Sequence, residues 1–445
     1  MKNYQRVTAR PICIAIFLVT SISGCTVSEK RSASGSHRRS FIDYWPPENS
    51  GQPTLGVKDN IDVKGVVTTA GSAYVAKTSP PATRDAACLA IARSRNIKIV
   101  GKTNLSEFAI SPSGINDYFG TPRNPFNRWA RTKFVPGGSS SGSAAAVASG
   151  LVDVAFGTDT AGSVRVPAAC CGVVGLKTTF GLVSLKGVFP VEPKHLDTVG
   201  PMGKDIEHAV LGMDLLENGF AARYRAAVAA HPSARRIRIG RLYLKGTDPK
   251  IDQAIDDALA RTGFQVVRLD PGFQAKWDQA KKDGNTLAAA GAWMSDQKYS
   301  LATGVGIRTK AVLALGRVLY LTEYQNALRR RPEWQRSLRQ VFRKVDFIAL
   351  PTLQTKPPRF PVFSKLPILE ALMLDLQNTV PVNVAGNPAL VIPVPTNDKR
   401  VPVTSLQLIG PPLSEAQLLN AGRLIEKSVP RIQPTALSHE KRPKP

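Results

Sequence analysis

The sequence predicts an α/β fold, and three observations carry that prediction. Short apolar, strand-like runs (97–100, 152–156, 237–239, 346–350 and 389–394) alternate with helix-like ones (86–94, 144–149, 251–262 and 415–428). Alternation of this kind lays helices against a sheet. About 380 residues lie between two polar ends without a Pro/Gly/Ser linker or an internal repeat, enough for one large core or two domains. Residues 136–185 concentrate glycine, serine and alanine around short apolar segments, as a closely packed strand–loop–helix unit requires.

Residues 1–24 read as a targeting segment. Lys2, Arg6 and Arg10 form a positive start, and residues 12–22 a short apolar core, below the ~20 residues that a spanning helix needs. Ser23 and Gly24 then precede Cys25, an arrangement that resembles a bacterial lipobox. The expectation is a lipid on Cys25 and a place in the bacterial cell envelope, facing the periplasm or exterior. Residues 25–50, polar and basic, read as a flexible tether. Residues 431–445, rich in proline and charge, read as an unpacked tail.

The 59 lysines and arginines outnumber the 33 aspartates and glutamates, for a net charge of +26. No basic helix with interleaved aromatics accompanies that charge, so no nucleic-acid partner is expected; anionic lipid and a solvated basic surface are the simpler correlates. Of the five cysteines, Cys13 lies in the leader and Cys25 is the expected lipid site. Cys88, Cys170 and Cys171 make an odd set that argues against a disulfide framework, and Cys170 and Cys171 read as buried thiols. No C-x-x-C, Cys/His cluster, P-loop or Gly-x-Gly-x-x-Gly occurs, so neither a metal nor a cofactor is expected.

Within residues 136–185, Gly137 and Gly138 lead through Ser139, Ser140, Ser141 and Ser143 into a small-residue helix. An apolar run then reads as a buried strand, and the turn Gly157-Thr158-Asp159-Thr160-Ala161-Gly162 presents Ser163. Both the loop and the turn offer backbone N–H groups suited to an anion, a phosphate or the oxyanion of acyl transfer. Lys58, in Gly56-Val57-Lys58-Asp59-Asn60, follows apolar residues that hint at burial, but the usual fate of lysine makes it, from sequence alone, a surface residue at a strand end. His195, His208 and His231 occur in no recognisable hydrolase motif, and no Gly-x-Ser-x-Gly elbow is present.

GGSSSGS (137–143), GTDTAGSVRVPAACCG (157–172) and GLKTTFGLVS (175–184) together resemble the amidase signature family. So do GVKDN (56–60), TTAGS (68–72), GKTNLSEF (101–108), GTPRNP (120–125) and the segments 346–352, 383–390 and 405–411. The resemblance runs from about residue 56 to 426, with a divergent, specificity-determining stretch at 221–343 inside a domain of residues 51–430. It implies a mixed, twisted central sheet flanked by helices, and an amidohydrolase acting on a small-molecule amide or peptide amide. It places catalytic roles on Lys58, Ser139 and Ser163, with a cis bond between Gly138 and Ser139. Thr160, Ala161, Gly162 and Ser140 fall on oxyanion and substrate-binding positions, and Asp159 and Arg165 on supporting ones. Ala161, Ser141, Thr178 and Leu182 depart from the family's pattern.

The alternatives are a binding lipoprotein that keeps the scaffold without activity, and a glutaminase-like component of a transamidation complex. Retention of Lys58, Ser139 and Ser163 argues against the first, and the leader against the second.

Overall fold

Runs of β-branched and apolar residues bounded by glycine and polar turns become the strands of one mixed sheet. The computed structural model describes residues 39–46, 51–128, 133–360, 366–397 and 403–430. The leader, Cys25 and the tail 431–445 lie outside these residues. Among the described residues eleven strands occur: β1 Phe41–Tyr44, β2 Thr54–Lys58, β3 Lys98–Thr103, β4 Val154–Asp159, β5 Val174–Lys177, β6 Thr198–Gly203, β7 Arg238–Arg241, β8 Gln265–Arg268, β9 Phe347–Pro351, β10 Ala389–Pro395 and β11 Val403–Ile409. Their order across the sheet is β1-β3-β2-β4-β6-β5-β10-β11-β9-β7-β8. Strand β2 runs parallel to β3 and β4, and β7 parallel to β8 and β9; the other neighbours are antiparallel.

The two-residue period of the strands sends alternate side chains into separate apolar clusters, one on one face and two on the other. Val154 and Phe156 of β4, Leu390 and Ile392 of β10, and Phe347 and Ala349 of β9 join one cluster with the helices Ile206–Leu216, Pro249–Thr262 and Glu415–Ser428. Ala155 and Val391 point the other way, toward the helices Ser141–Ala148 and Arg165–Cys171. Ile348 and Leu350 meet the long helices Gly272–Asp296 and Tyr324–Phe342. The α/β expectation is therefore met, and the strand-like and helix-like runs read from sequence all fall on observed elements.

One boundary differs from expectation. The tether assigned through residue 50 gives way to sheet at β1, which pairs with β3 and buries Phe41. Residues 39–46 are held there because the Ser40 carbonyl accepts from Asn104 N–H at 2.9 Å. The divergent stretch 221–343 supplies β7 and β8 to the same sheet as the signature strands.

The small-residue helix Ser141–Ala148 is buried at every position from Ser141 to Val147. A helix without a polar face can exist only when enclosed on all sides. Its composition follows from that enclosure: a Cβ on Gly142 would lie 2.3 Å from both the Asn104 nitrogen and the Ser40 carbonyl oxygen. Cys88, Cys170 and Cys171 are free, buried thiols, and burial pushes Cys88 up to about 12. Among the described residues no helix is long and apolar enough to cross a membrane.

Candidate active site

The site forms where three neighbouring strands end. Lys58 closes β2, Thr103 lies opposite it at the end of β3, and Asp159 closes β4, which is in parallel register with β2. The carboxyl ends of adjacent parallel strands are where open α/β sheets leave room for ligands. The helix Ser141–Ala148 begins immediately after the serine loop, whose Gly138–Ser139 peptide bond is cis.

Lys58 is fully buried, not at the surface where lysines usually lie. Its Nζ contacts Ser139 Oγ at 2.7 Å and Thr158 Oγ1 at 2.8 Å. Thr158 Oγ1 also accepts from Asn60 Nδ2 at 3.1 Å, which fixes the threonine against the lysine. Burial pulls Lys58 down to about 7, while the Asp159 and Asp197 charges act in the opposite direction. The ammonium therefore gives up its proton near neutrality, and the neutral amine faces a hydroxyl.

Ser139 is fully buried; Ser163 is half-buried. The two loops are joined by Ser140 N–H donating to the Ser163 carbonyl at 3.2 Å. Ser140 Oγ donates to the Thr158 carbonyl at 3.3 Å, and the residue is fully buried. Its hydroxyl thus braces the loop from inside.

Asp159 and Arg165 form the bracing core of the turn. Both are fully buried and meet at 3.0 Å. The carboxylate also accepts from Gly162 N–H at 2.8 Å, Val164 N–H at 3.1 Å and Asn383 Nδ2 at 2.8 Å. Burial acts to raise its pKa, but the Arg165 guanidinium and these donors hold it well below the usual carboxylate range. Arg165 directs its remaining donors to the Thr379 carbonyl, Gln407 Oε1 and Asn383 Oδ1. Both members of this buried pair are satisfied, as burial demands.

One expected oxyanion donor is lost through this brace. Gly162 N–H is committed to Asp159, whereas Thr160, Ala161 and Ser163 N–H groups donate none of the hydrogen bonds found among the described residues. Gly162 serves geometry instead: its φ is +132°, and a Cβ there would fall 2.2 Å from Thr379 Oγ1. That hydroxyl holds the Ala161 carbonyl at 2.5 Å. Thr160 is fixed by its own hydroxyl, which donates to Asp197 at 2.6 Å.

Sequence reasoning missed five participants. Asn60 and Thr158 position Lys58, Asp197 anchors Thr160, and Lys102 forms a fully buried ion pair with Asp59 at 2.9 Å. Asp59 in GVKDN and Lys102 in GKTNLSEF each follow an apolar stretch, and that was the available signal. A sixth group, Lys177, is buried and bonded to the Thr178 and Asn387 carbonyls. The histidines stay apart: His208 pairs with Asp205 at its own helix start, and no hydrogen bond among the described residues joins a histidine ring to Ser139 or Ser163.

A family model described as Amidase matches residues 51–419. A glutamyl-tRNA(Gln) amidotransferase subunit of Chloroflexus aggregans is 35% identical over 404 residues, covering 83% of this chain and 80% of that one. Its counterpart from Halobacterium salinarum is 31% identical over 414 residues, covering 84% and 95%. The crystal structure of the corresponding Thermotoga maritima protein matches with a TM-score of 0.72 at 26% identity, covering 88% of each chain.

Proposed function

Because this chain belongs to the amidase signature family, whose chemistry is at the amide C–N bond, we propose that it hydrolyses carboxylic amides through a Ser–Ser–Lys relay and an acyl-enzyme. The observation that carries this reading is the buried contact of Lys58 Nζ with Ser139 Oγ at 2.7 Å. In the relay, neutral Lys58 takes the Ser139 proton while Ser139 takes that of Ser163, and Ser163 Oγ attacks the amide carbon. The N–H groups of Thr160, Ala161 and Ser163 receive the oxyanion, a contribution typically worth ~10²–10³ in rate per donor. On collapse the C–N bond breaks, and the proton held on Lys58 returns through Ser139 to the leaving amine. Water then enters by the same relay and releases the acid. The relay calls for no metal or cofactor.

Ser163 is the residue to test. A fluorophosphonate should label it in the purified chain, and Ser163→Ala should abolish both label and turnover on a panel of small amides. Labelling of any other residue with retained turnover would overturn the assignment.

The likeness to amidotransferase components favours a second reading, in which the chain needs a partner protein for turnover. Hydrolysis by the purified chain alone favours the first reading; activity that appears only with a partner favours the second. The first is preferred because residues 1–24 resemble a leader, and it carries the associated proposal that Cys25 is lipidated and holds the enzyme at the cell envelope.

A further inference from the structure

A cavity of about 490 Å³ is lined in part by Asp62, Thr68, Phe189, Asp296 and Tyr299. It is linked to the site by short bridges. Phe189 N–H donates to the Asn60 carbonyl at 2.7 Å, and Asn60 in turn holds the threonine that positions Lys58. Thr68 Oγ1 accepts from Lys102 at 3.2 Å. The volume is that of a pocket for a small organic molecule.

Asp296 is the unusual group. It ends the helix Gly272–Asp296, is 1% exposed, and its Oδ2 has no hydrogen-bond partner among the described residues. A buried carboxyl oxygen without a partner is costly and calls for an explanation. Aromatic rings line the same cavity: Phe189 and Tyr299 stack with centroids 6.3 Å apart. Lys298 Nζ lies 4.8 Å from the Tyr299 centroid, so this ring already receives an ammonium. Carboxylate and ring faces together form the surface that recognises an organic cation. The charged groups of this lining are Asp62, Asp296 and Lys298.

We propose that this cavity binds an organic ammonium, and that the substrate is an amide carrying a protonated amine, its ammonium on Asp296 and its carbon skeleton against Phe189 and Tyr299. Calling the ligand a substrate rests on the hydrolase reading; binding itself does not. Burial pushes Asp296 up to about 8, with Lys298 acting to lower it and Asp197 and Glu107 to raise it. Asp296 must therefore lose its proton to solvent to pair with the ammonium, and affinity rises with pH up to about 8 before levelling off.

The test is calorimetry on the full chain carrying Ser163→Ala, with phenethylamine as probe and 2-phenylethanol as its uncharged counterpart. The amine should bind at least tenfold more tightly at pH 8 than at pH 6, the alcohol equally at both. Asp296→Asn should remove at least tenfold of the amine's affinity. An amine that binds no better than the alcohol, or with no pH dependence in the chain that keeps Asp296, overturns the proposal. Turnover is read separately, in the chain that keeps Ser163. If that chain hydrolyses no amide while the Ser163→Ala chain binds the amine, the hydrolase reading alone fails.

Discussion

Two buried lysines at neighbouring strand ends have different partners, and the contrast supports Lys58 as the proposed base. Lys102 meets the Asp59 carboxylate at 2.9 Å, while Lys58 meets only hydroxyl and carbonyl oxygens. Burial without a paired carboxylate brings Lys58 to about 7, so its neutral, proton-accepting form dominates above that pH. Hydrolysis should rise about tenfold per pH unit below about 7 and level off above it. Lys58→Ala should lower kcat by ~10²–10⁴, and Lys58→Arg nearly as much, since a guanidinium keeps its proton throughout this range. A Lys58→Arg enzyme with most of its activity would make the lysine an electrostatic support only. At this scale the sequence was legible where a motif marks the residue, as for Ser139 and Arg165. It was silent where a contact spans the chain: Thr160 finds Asp197, and Lys58 finds Thr158, only after the sheet has formed.

Among the elements, the turn before Ser163 and the small-residue helix were legible because composition and packing agree. Glycine and alanine runs there have few alternatives to close enclosure. Gly162 gives this a test. Its positive φ and the 2.2 Å approach to Thr379 Oγ1 exclude a methyl. Gly162→Ala should displace Thr379, free the Ala161 carbonyl and lower turnover at least ~100-fold, the scale of a lost oxyanion donor; circular dichroism should still report a folded chain. Wild-type rates in Gly162→Ala would show that the turn tolerates rearrangement. The long helix Gly272–Asp296 was not legible, because its buried positions include Asp283, Gly284, Thr286, Gly291 and Asp296, which blur an apolar stripe. Strand β1 was hidden for another reason. Four residues following a basic run carry little pattern of their own, and their partner strand lies some sixty positions later in the chain.

At the scale of the whole molecule, the α/β class, the signature region and the run 237–239 that becomes β7 were readable, while β8 was not. Strand β8 is short, exposed and lies at one end of the sheet, so nothing local announces it. The envelope proposal belongs here as well. Mass spectrometry of the mature protein should find a diacylglyceryl group on Cys25, and an unmodified N-terminus elsewhere would refute it. The bracing of Arg165 carries a last consequence, for the order in which the protein becomes competent during synthesis. Arg165 bonds to Asn383 and Gln407, 218 and 242 positions further along the chain. A ribosome that has already finished Lys58, Ser139 and Ser163 has therefore made every group of the proposed relay before the turn behind Ser163 can be clamped. The clamp closes only when β11 arrives, late in translation, and contacts of such separation form slowly. On the proposed function, activity is gained only once the last strand is in place.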